Sequence, residues 1–293
     1  MNIFGKTGRW IAFAFLTALA FFWLFPVAWM LINAFRTDSD FITSFTNIRG
    51  SIDYLRRMIP KPFTIVNFIE MFLGGGGANT TSGLDRMFRN SFVVSISQMV
   101  LVVFITSLSA YAYERLHFPG GGVLFWALMY MSMFPNAVSI LPMFKIANSL
   151  GWVNNLNALI WPGLAGVFNI FLLRNFLKGV PLDFDEAAKI DGANSFQVYY
   201  KIIVPMIAPA LIIVGLFSFN GAWNDFLWPT IVMTDANNQT LTAGLRLLFG
   251  QYEQKWAHMI ASCVMSMIPP FLLYLLAQRY FLQGIAIQAG VKG

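Results

Sequence analysis

The chain has 293 residues, of which 57% are hydrophobic and only 11% are charged, and its formal net charge is +6. Soluble domains carry about 25% charged residues, so this composition excludes a surface that faces water throughout and indicates a polytopic membrane protein. A single cysteine excludes an internal disulfide framework and, with only two distant histidines, leaves no Cys/His metal site. The positive charge would also suit nucleic acid, but no basic helix or aromatic-basic module accompanies it, so nucleic acid is not an expected partner.

Six long stretches free of Asp, Glu, Lys and Arg follow one another along the chain. They occupy residues 10–35, 90–113, 117–144, 146–173, 202–224 and 256–278. Each supplies the roughly 20 residues needed to cross the hydrocarbon core, so we predict an all-α fold with six transmembrane helices. The first stretch follows Lys6 and Arg9 as a signal peptide would, but it is too long and lacks a cleavage site. Pro135 and Pro142 are expected to kink the third helix, and the fourth helix is expected to start near Asn155.

The distribution of Lys and Arg predicts that both termini are cytoplasmic. This orientation places nine of the 19 basic residues inside and ten outside. Seven of those ten lie between Arg36 and Arg89 in one loop of about 50 residues, and long loops follow the charge rule poorly. Without that loop, nine basic residues lie inside and three outside, which favours cytoplasmic termini. The predicted segments are therefore an N-terminal segment with the first helix (1–35), an external loop (36–87), a membrane core (88–281) and a cytoplasmic tail (282–293).

A polar island at residues 181–204 interrupts the apolar sequence on the predicted cytoplasmic side. Asp183 is expected to cap a short helix, with Glu186 completing a capping box three residues later. Gly192 is expected to end that helix in a left-handed conformation, and Ser195 to cap a second helix that returns to the membrane. An ordinary helical loop is the alternative interpretation of this island.

The order of residues in the island resembles a known signature. Glu186-Ala187-Ala188, two residues, Asp191-Gly192-Ala193 and eleven residues to Pro205 resemble the loop of permease subunits in bacterial ATP-binding-cassette importers. From about residue 88 onward, other segments resemble the second permease of maltose-type oligosaccharide importers. These are Ala110-Tyr111-Ala112-Tyr113, Trp223-Asn224-Asp225-Phe226-Leu227-Trp228-Pro229, Gln239-Thr240-Leu241 and Ala277-Gln278-Arg279-Tyr280.

The resemblance implies the transmembrane fold of a type I importer, in the inner (cytoplasmic) membrane of a bacterium. The expected partners are a second permease, two ATPase subunits that bind ATP and magnesium, an external periplasmic substrate-binding protein, membrane lipid and an oligosaccharide. The residues expected to couple to the ATPase are Glu186, Ala187, Ala188, Asp191 and Gly192. The chain itself is expected to hydrolyse nothing and to bind no cofactor or metal. Gly5-Lys6-Thr7 resembles the end of a phosphate-binding loop but lacks the earlier glycine of that motif.

Two further polar groups are candidate sites. At the outer end of the fifth helix, a sugar-facing cluster and an interfacial aromatic belt are alternative interpretations of Asn220, Trp223, Asn224, Asp225 and Trp228. Residues 234–255 resemble the external loop that reaches into the binding protein. The contacts expected there are Asn237, Asn238, Gln239 and Thr240, and a loop that merely rests on the partner is the alternative.

The seven basic residues of the first external loop favour a solvated surface or, alternatively, attraction of an acidic oligosaccharide. The tail at residues 288–293 is expected either to extend between the ATPases or to be disordered. Two other function classes are weaker. An independent channel or secondary carrier needs intramembrane ionisable groups, and only Asp225 approaches that requirement. An intramembrane enzyme would need catalytic residues, and this sequence offers no plausible set of them.

Overall fold

A computed structural model of the chain describes residues 6–46, 50, 53, 57–73, 84–116, 118–251 and 255–290. Every regular element within these residues is helical, which confirms the predicted all-α class. The chain divides into two compact units, Met1–Asp85 with Leu245–Met267, and Arg86–Gly244 with Ile268–Gly293. The glycine tetrad at residues 74–77 and the end of the tail at residues 291–293 lie outside the described residues.

The helices before the polar island are α1 (Lys6–Asn33), α2 (Asp38–Phe45), α3 (Val66–Leu73), α4 (Leu84–Arg115), α5 (Gly121–Ser132), α6 (Asn136–Ser149), α7 (Asn157–Ile160) and α8 (Val167–Lys178). The island and the rest of the chain form α9 (Asp183–Ile190), α10 (Ser195–Val198), α11 (Val204–Met206), α12 (Ala208–Asn224), α13 (Leu227–Val232), α14 (Leu241–Gln251) and α15 (Trp256–Gly290). A π-helical turn at Tyr199–Ile203 joins α10 to α11, and a 3₁₀ turn at Ala236–Asn238 precedes α14.

The long helices account for most of the predicted spans. By length and composition, Gly8–Asn33, Leu84–Arg115 and Trp256–Tyr280 can each cross a membrane. Two bent helix pairs pass the same criteria together, α5 with α6 and α10–α11 with α12. The described residues therefore supply three to five candidate spans, and the predicted count of six is not confirmed.

The predicted fourth span at residues 146–173 does not form one helix. Helix α6 ends at Ser149, α7 is a single turn, and α8 begins only at Val167. Gly151 and Gly163 adopt positive φ angles of 66° and 83°, and a right-handed helix cannot continue through that conformation. Gly151 lies before the predicted helix start near Asn155, and α7 begins close to it, at Asn157, but Gly163 then divides the predicted helix.

Both bent pairs turn at residues that weaken helical hydrogen bonding. Pro135 stands immediately before α6, where the chain bends by 100°, as predicted for this proline, whereas Pro142 lies inside α6 without ending it. The second pair bends by 80° at Ile207. The bend follows the π-helical turn, where the Val204 amide donates to the Tyr199 carbonyl, and Pro205, which has no amide hydrogen to donate.

A core of the second unit forms where α4 and α8 pack against the end of the island and the helix that follows it. Leu173 and Leu177 are one helical turn apart on α8 and are fully buried together with Val198, Ile203 and Val214. Burying a large aliphatic side chain contributes about 1.5–3 kcal/mol, so this cluster is the main apolar attachment of the island to the membrane helices.

The first unit is organised around a buried arginine. Arg36 is 0% exposed and donates to Asn33 Oδ1 at 2.6 Å, Asp40 Oδ2 at 2.7 Å and Ser44 Oγ at 2.8 Å. It also donates to the carbonyl of Arg57. A buried charge requires this degree of pairing, so Arg36 is structural and does not belong to a solvated basic surface.

A histidine between two carboxylates provides a second polar centre in the first unit. The ring nitrogens of His258 contact Asp38 Oδ2 at 2.7 Å and Glu70 Oε2 at 2.8 Å. The Ala257 amide donates to Asp38 Oδ1 at 2.8 Å, so Asp38 also caps the start of α15. The two carboxylates bind opposite edges of the ring, and the described residues contain no group of three ligands able to hold a metal ion.

Candidate functional site

The acidic hairpin, defined as residues 183–198, begins without the predicted cap. Asp183 is the first residue of α9, and Leu182 occupies the N-cap position without a side-chain hydrogen bond. The predicted capping box between Asp183 and Glu186 is therefore wrong. The first turn still carries Asp183, Asp185 and Glu186, whose negative charges suit the positive end of the helix dipole.

Gly192 ends α9 as predicted. Its φ angle is +83°, its amide donates to the Lys189 carbonyl at 3.0 Å, and the next amide, of Ala193, donates to the Ala188 carbonyl at 2.9 Å. These two bonds form a complete Schellman motif, which satisfies the last carbonyls of the helix and reverses the chain. A β-carbon at Gly192 would meet no atom of the described residues within 4 Å, so the requirement for glycine is conformational.

The second helix of the hairpin is capped by Asn194, not by the predicted Ser195. The Asn194 side chain accepts from the Gln197 amide at 2.9 Å, and the Gln197 side chain accepts from the Asn194 amide at 2.8 Å. This reciprocal pair is a capping box with an amide in each position. The prediction was displaced by one residue because both Asn194 and Ser195 are good capping residues.

The hairpin exposes most of the predicted coupling residues. Glu186, Ala187, Asp191 and Gly192 are exposed, and Ala188 is buried beneath them. A cavity of about 520 Å³ is lined by Ala187, Ala188, Asp191 and Gly192 together with Phe184, Ala193, Gln197, Lys201 and Ile202, whereas Glu186 lies outside this lining. Ile190, which precedes Asp191 in the chain, is 87% exposed. Four of the five predicted residues thus line one small-residue surface, and Glu186 and Ile190 are exposed next to it in the chain.

The opposite side of the hairpin is attached to α4. Ser107 Oγ and Tyr199 Oη are 2.7 Å apart, and Tyr111 Oη donates to the Ser195 carbonyl at 3.0 Å. At the end of α4, Arg115 Nε lies 3.4 Å from Asp185 Oδ2. This set was not predicted, although the spacing of 107, 111 and 115 places the three α4 residues on one helical face.

The structure does not bring the five residues of the predicted pathway cluster together. Trp223 is fully buried, with its ring stacked on Phe219 at 5.6 Å. Asn220 and Asn224 are exposed and are bonded to each other, because Asn224 Nδ2 donates to Asn220 Oδ1 at 2.7 Å. The tryptophan therefore belongs to the core, and the amide pair forms a separate surface.

Asp225 and Trp228 instead line a second cavity of about 470 Å³. Three polar side chains that were not predicted share this lining, namely Gln98, Asn136 and Ser139. Trp228 Nε1 donates to the Ala158 carbonyl at 2.8 Å, and Asp225 accepts from the Trp228 amide at 3.4 Å at the start of α13. Asp225 thus has a helix-terminal partner in addition to facing the cavity. The residues missed lay near prolines or within an apolar run, where no local motif distinguishes them.

The predicted binding-protein contacts belong to the amide loop, defined as residues 233–241, and two of the four are buried. Gln239 is 3% exposed and Thr240 is 1% exposed, whereas Asn237 and Asn238 are partly exposed. Asn90 Nδ2 donates to the carbonyls of Asn237 and Gln239 at 3.0 and 3.1 Å. Of the four predicted contacts, Asn237 and Asn238 present side chains that a partner can reach.

Asn154 lies outside the amide loop but holds it by three hydrogen bonds, and this role was not predicted. Its Oδ1 accepts from the amides of Thr234 at 2.7 Å and Asp235 at 2.9 Å, and its carbonyl accepts from Asn238 Nδ2 at 2.8 Å. Its φ angle is +60°, a region where asparagine is enriched among residues other than glycine. The paired asparagines 154 and 155 after Gly151 were the available sequence signal.

The comparisons with known proteins identify the family. The model of the binding-protein-dependent transport system inner membrane component family matches residues 103–287, more than half of the chain. The chain belongs to this family. Its relatives show that it is a permease of the carbohydrate ABC importer type, as the resemblance implied. The acidic hairpin and both cavities lie largely within the matched residues.

Several relatives match along almost the whole chain. The probable ABC transporter permease protein YurM of Bacillus subtilis is 30% identical over 99% of this chain and 89% of its own. The arabinooligosaccharides transport system permease protein AraQ of Halalkalibacterium halodurans is 30% identical, over 97% and 95%. The trehalose/maltose transport system permease protein MalG of Thermococcus litoralis is 30% identical, over 94% of each chain.

A solved structure has the same fold. A chain of a bacterial ABC transporter involved in the import of the acidic polysaccharide alginate matches with a TM-score of 0.78. The match covers 96% of this chain and 100% of that chain, at 19% sequence identity. The all-helical architecture described above is therefore the fold of an ABC importer permease.

Proposed function

We propose that this chain is one of two permease subunits of an ATP-driven oligosaccharide importer, and that its acidic hairpin docks on a cytoplasmic ATPase. The observation that carries the proposal is the surface formed by Ala187, Asp191 and Gly192, beside which Glu186 and Ile190 are exposed. Small residues permit close approach of a partner, the carboxylates provide charge-assisted contacts, and the apolar side chains gain from burial.

The membrane arrangement in this proposal has both termini in the cytoplasm. Helices α1, α4 and α15 and the two bent pairs supply five crossings, and residues 157–178 supply the sixth despite their interruption at Gly163. This arrangement places the acidic hairpin on the cytoplasmic side, and the amide loop and the cavity at Asp225 towards the other side. Helix α1 exposes apolar side chains along its length, which suits contact with lipid or with the second permease.

Partner subunits supply the energy and the substrate in this proposal. Two ATPases hold ATP and magnesium, and an external binding protein delivers the oligosaccharide to the outer side. Closure of the ATPase dimer moves the docked hairpin, and the membrane helices switch between inward-open and outward-open states. No hydrolytic step is assigned to this chain.

Copurification tests the docking. The intact importer is expected to bring down an ATPase and a second permease, and Glu186→Gln is expected to weaken ATPase retention because it removes one exposed charge. The matched control is Asp235→Asn, which makes the same acid-to-amide change on an exposed residue of the amide loop and keeps the oxygen that caps the 3₁₀ turn. Equal ATPase retention by wild type and both variants would argue against docking through Glu186, and no retention by the wild type would refute the importer assembly.

An acidic oligosaccharide is the second candidate substrate class. It is supported by the net charge of +6, by the exposed side chains of Lys61 and Arg89, and by the fold shared with an alginate importer. The basic set is smaller than the sequence suggested, because Arg36 is buried and Arg57 is paired with Asp53 at 2.8 Å. Competition of neutral and uronate-rich oligosaccharides for uptake distinguishes the two classes, and an absence of preference for the uronate would exclude the acidic one.

A further inference from the structure

One face of α4 contacts the acidic hairpin and the turn after it at three successive helical levels. Ser107, Tyr111 and Arg115 are spaced by four residues, so their side chains point in the same direction. Ser107 and Tyr111 contact the return segment of the hairpin, at Tyr199 and Ser195. Arg115 contacts α9 itself, the helix that carries the exposed acidic surface.

Arg115 joins three elements at one point. Its Nη2 donates to the carbonyls of Leu177 at 3.2 Å and Val180 at 2.6 Å, which lie at and after the end of α8. Its Nε lies 3.4 Å from Asp185 Oδ2 in the first turn of α9, and both side chains are buried. Because the two carbonyls hold Nη2, the guanidinium is fixed in place with its Nε facing α9.

The contact between Arg115 and Asp185 is close enough for a strong charge interaction but is incompletely hydrogen-bonded. Neither Arg115 Nε nor Asp185 Oδ2 has a hydrogen-bond partner among the described residues. Buried polar atoms are normally bonded, and a charge-assisted bond has its optimum near 2.7–2.9 Å. A small movement of α9 towards α4 would therefore form a full bond, and a movement away would leave two buried charges apart, which is costly.

Adjacent acids of α9 thus have opposite orientations. Glu186 is exposed beside the proposed docking surface, and Asp185 is buried against Arg115. We propose that the Arg115–Asp185 pair is the positioning contact that transmits displacement of the acidic hairpin to the membrane helix α4. This inference rests on the proposed docking of the hairpin, and it assigns to Asp185 and Arg115 a role that is separate from docking.

The test uses the complete importer, with both permeases, the ATPases and the binding protein, in proteoliposomes. Asp185→Asn removes the charge but keeps the volume and one oxygen. We expect it to retain the ATPases as wild type does, and to lower the sugar transported per ATP hydrolysed roughly tenfold, within the range usual for coupling between sites. Asp185→Glu restores the charge on a longer side chain and is expected to recover part of that ratio.

Two controls separate the possible results. Glu186→Gln is expected to reduce ATPase retention, whereas Asp185→Asn is not, so each variant affects one step only. Arg115→Lys keeps the charge but cannot reach two carbonyls and Asp185 together, and it is expected to lower the transport ratio as Asp185→Asn does.

A wild-type ratio of sugar to ATP in Asp185→Asn would overturn the inference, even if the yield of the complex fell, since that result means that the pair only stabilises the fold. Failure of the wild-type chain to retain any ATPase would instead refute the proposed docking, and the positioning role would fall with it.

Discussion

The acidic hairpin and the amide loop use similar residues in opposite ways. Both are short polar turns between apolar helices of the second unit, and both contain residues predicted to bind a partner protein. The hairpin exposes Glu186 and Asp191 and attaches to the rest of the unit by its other face. The amide loop buries Gln239 and Thr240.

The difference shows how the internal bonds of a polar turn restrict what it can bind. In the amide loop, Asn90 and Asn154 occupy two backbone carbonyls, two backbone amides and the Asn238 side-chain amide, groups that a sugar or a partner could otherwise bind. In the hairpin, the backbone groups are satisfied within α9 and by the Schellman motif, so its carboxylates stay available. The hairpin thus leaves its exposed acidic side chains free for the proposed docking, whereas the amide loop uses much of its polar surface internally.

The largest expected effect comes from changing the reversal of the hairpin. Gly192→Val forces a β-branched residue into a left-handed conformation that costs other residues roughly 1–2 kcal/mol or more. We expect α9 to lose its fixed end and transport to fall at least about tenfold, while the ATPases remain able to hydrolyse ATP. The ratio of sugar transported to ATP hydrolysed in proteoliposomes measures this effect.

Gly192→Asn is the matched control, because asparagine tolerates positive φ values. A β-carbon at this position meets open space within the described residues, so the two variants differ mainly in backbone strain. Equal loss of transport in both would mean that a partner fills this space, which would sharpen the docking surface to Gly192 itself. Normal transport by Gly192→Val would contradict the role of the reversal.

The amide loop should respond in stability more than in coupling. Asn154→Ala removes the oxygen that accepts from the Thr234 and Asp235 amides and puts a less suitable residue at φ +60°. We expect the complex to lose about 1–2 kcal/mol of unfolding free energy, because two amides lose their partner. The unfolding midpoint of the purified complex measures this loss.

Two further variants separate the causes of that loss. Asn154→Asp keeps the accepting oxygen, and Asn154→Gly keeps only the conformational freedom. Sugar transported per ATP is expected to stay at the wild-type value in all three variants below the unfolding transition. A changed ratio with an unchanged midpoint would remove the contrast between the two turns.

Much of the hairpin could be predicted from sequence because its geometry is local. Helix α9, the reversal at Gly192 and the return helix all follow from helix propensity and capping preferences within about 15 residues. The error between Ser195 and Asn194 is of the same local kind, since two adjacent residues satisfied the same rule. The break at Gly163 was also readable, but the apolar composition outweighed it.

Long-range polar contacts could not be predicted in the same way. Arg115 and Asp185 are 70 positions apart, and no local pattern shows that one faces the other. Arg36 was counted as part of a basic surface, although Asp40 and Ser44 follow it at helical spacing and bury it. Charges in a mostly apolar chain are counted easily, but their partners depend on how the helices pack.

In the first unit, a change of pH tests whether a carboxylate is used inside the fold or left available to a partner. Burial raises the pKa of Asp38, but hydrogen bonds from His258 and the Ala257 amide, with Lys255 nearby, outweigh it and hold the pKa below its ordinary value. A carboxyl with a depressed folded-state pKa stabilises the fold above its unfolded-state pKa and loses that contribution as pH falls. We therefore expect the unfolding midpoint to decrease from about pH 5 downward.

Asp38→Asn identifies the share of that decrease that belongs to Asp38. The amide keeps an oxygen for the Ala257 amide but does not titrate, so the variant should be less stable than wild type near neutral pH and approach it in acid. If the unfolding midpoints of the two proteins change in parallel with pH, Asp38 contributes no pH dependence. That result would weaken the view that this carboxylate is used internally.

The smallest expected effect concerns the two amides of the loop that remain partly exposed. Asn238→Ala removes one hydrogen bond to the Asn154 carbonyl and is expected to cost about 1 kcal/mol of stability. Asn237→Ala removes the oxygen that accepts from Arg86 at 2.7 Å, on the surface, and is expected to cost less. If the amide loop is only a scaffold, both variants should leave the affinity for the binding protein unchanged. A clear loss of that affinity, at unchanged stability, would show that the loop also docks and would place the two turns in one class.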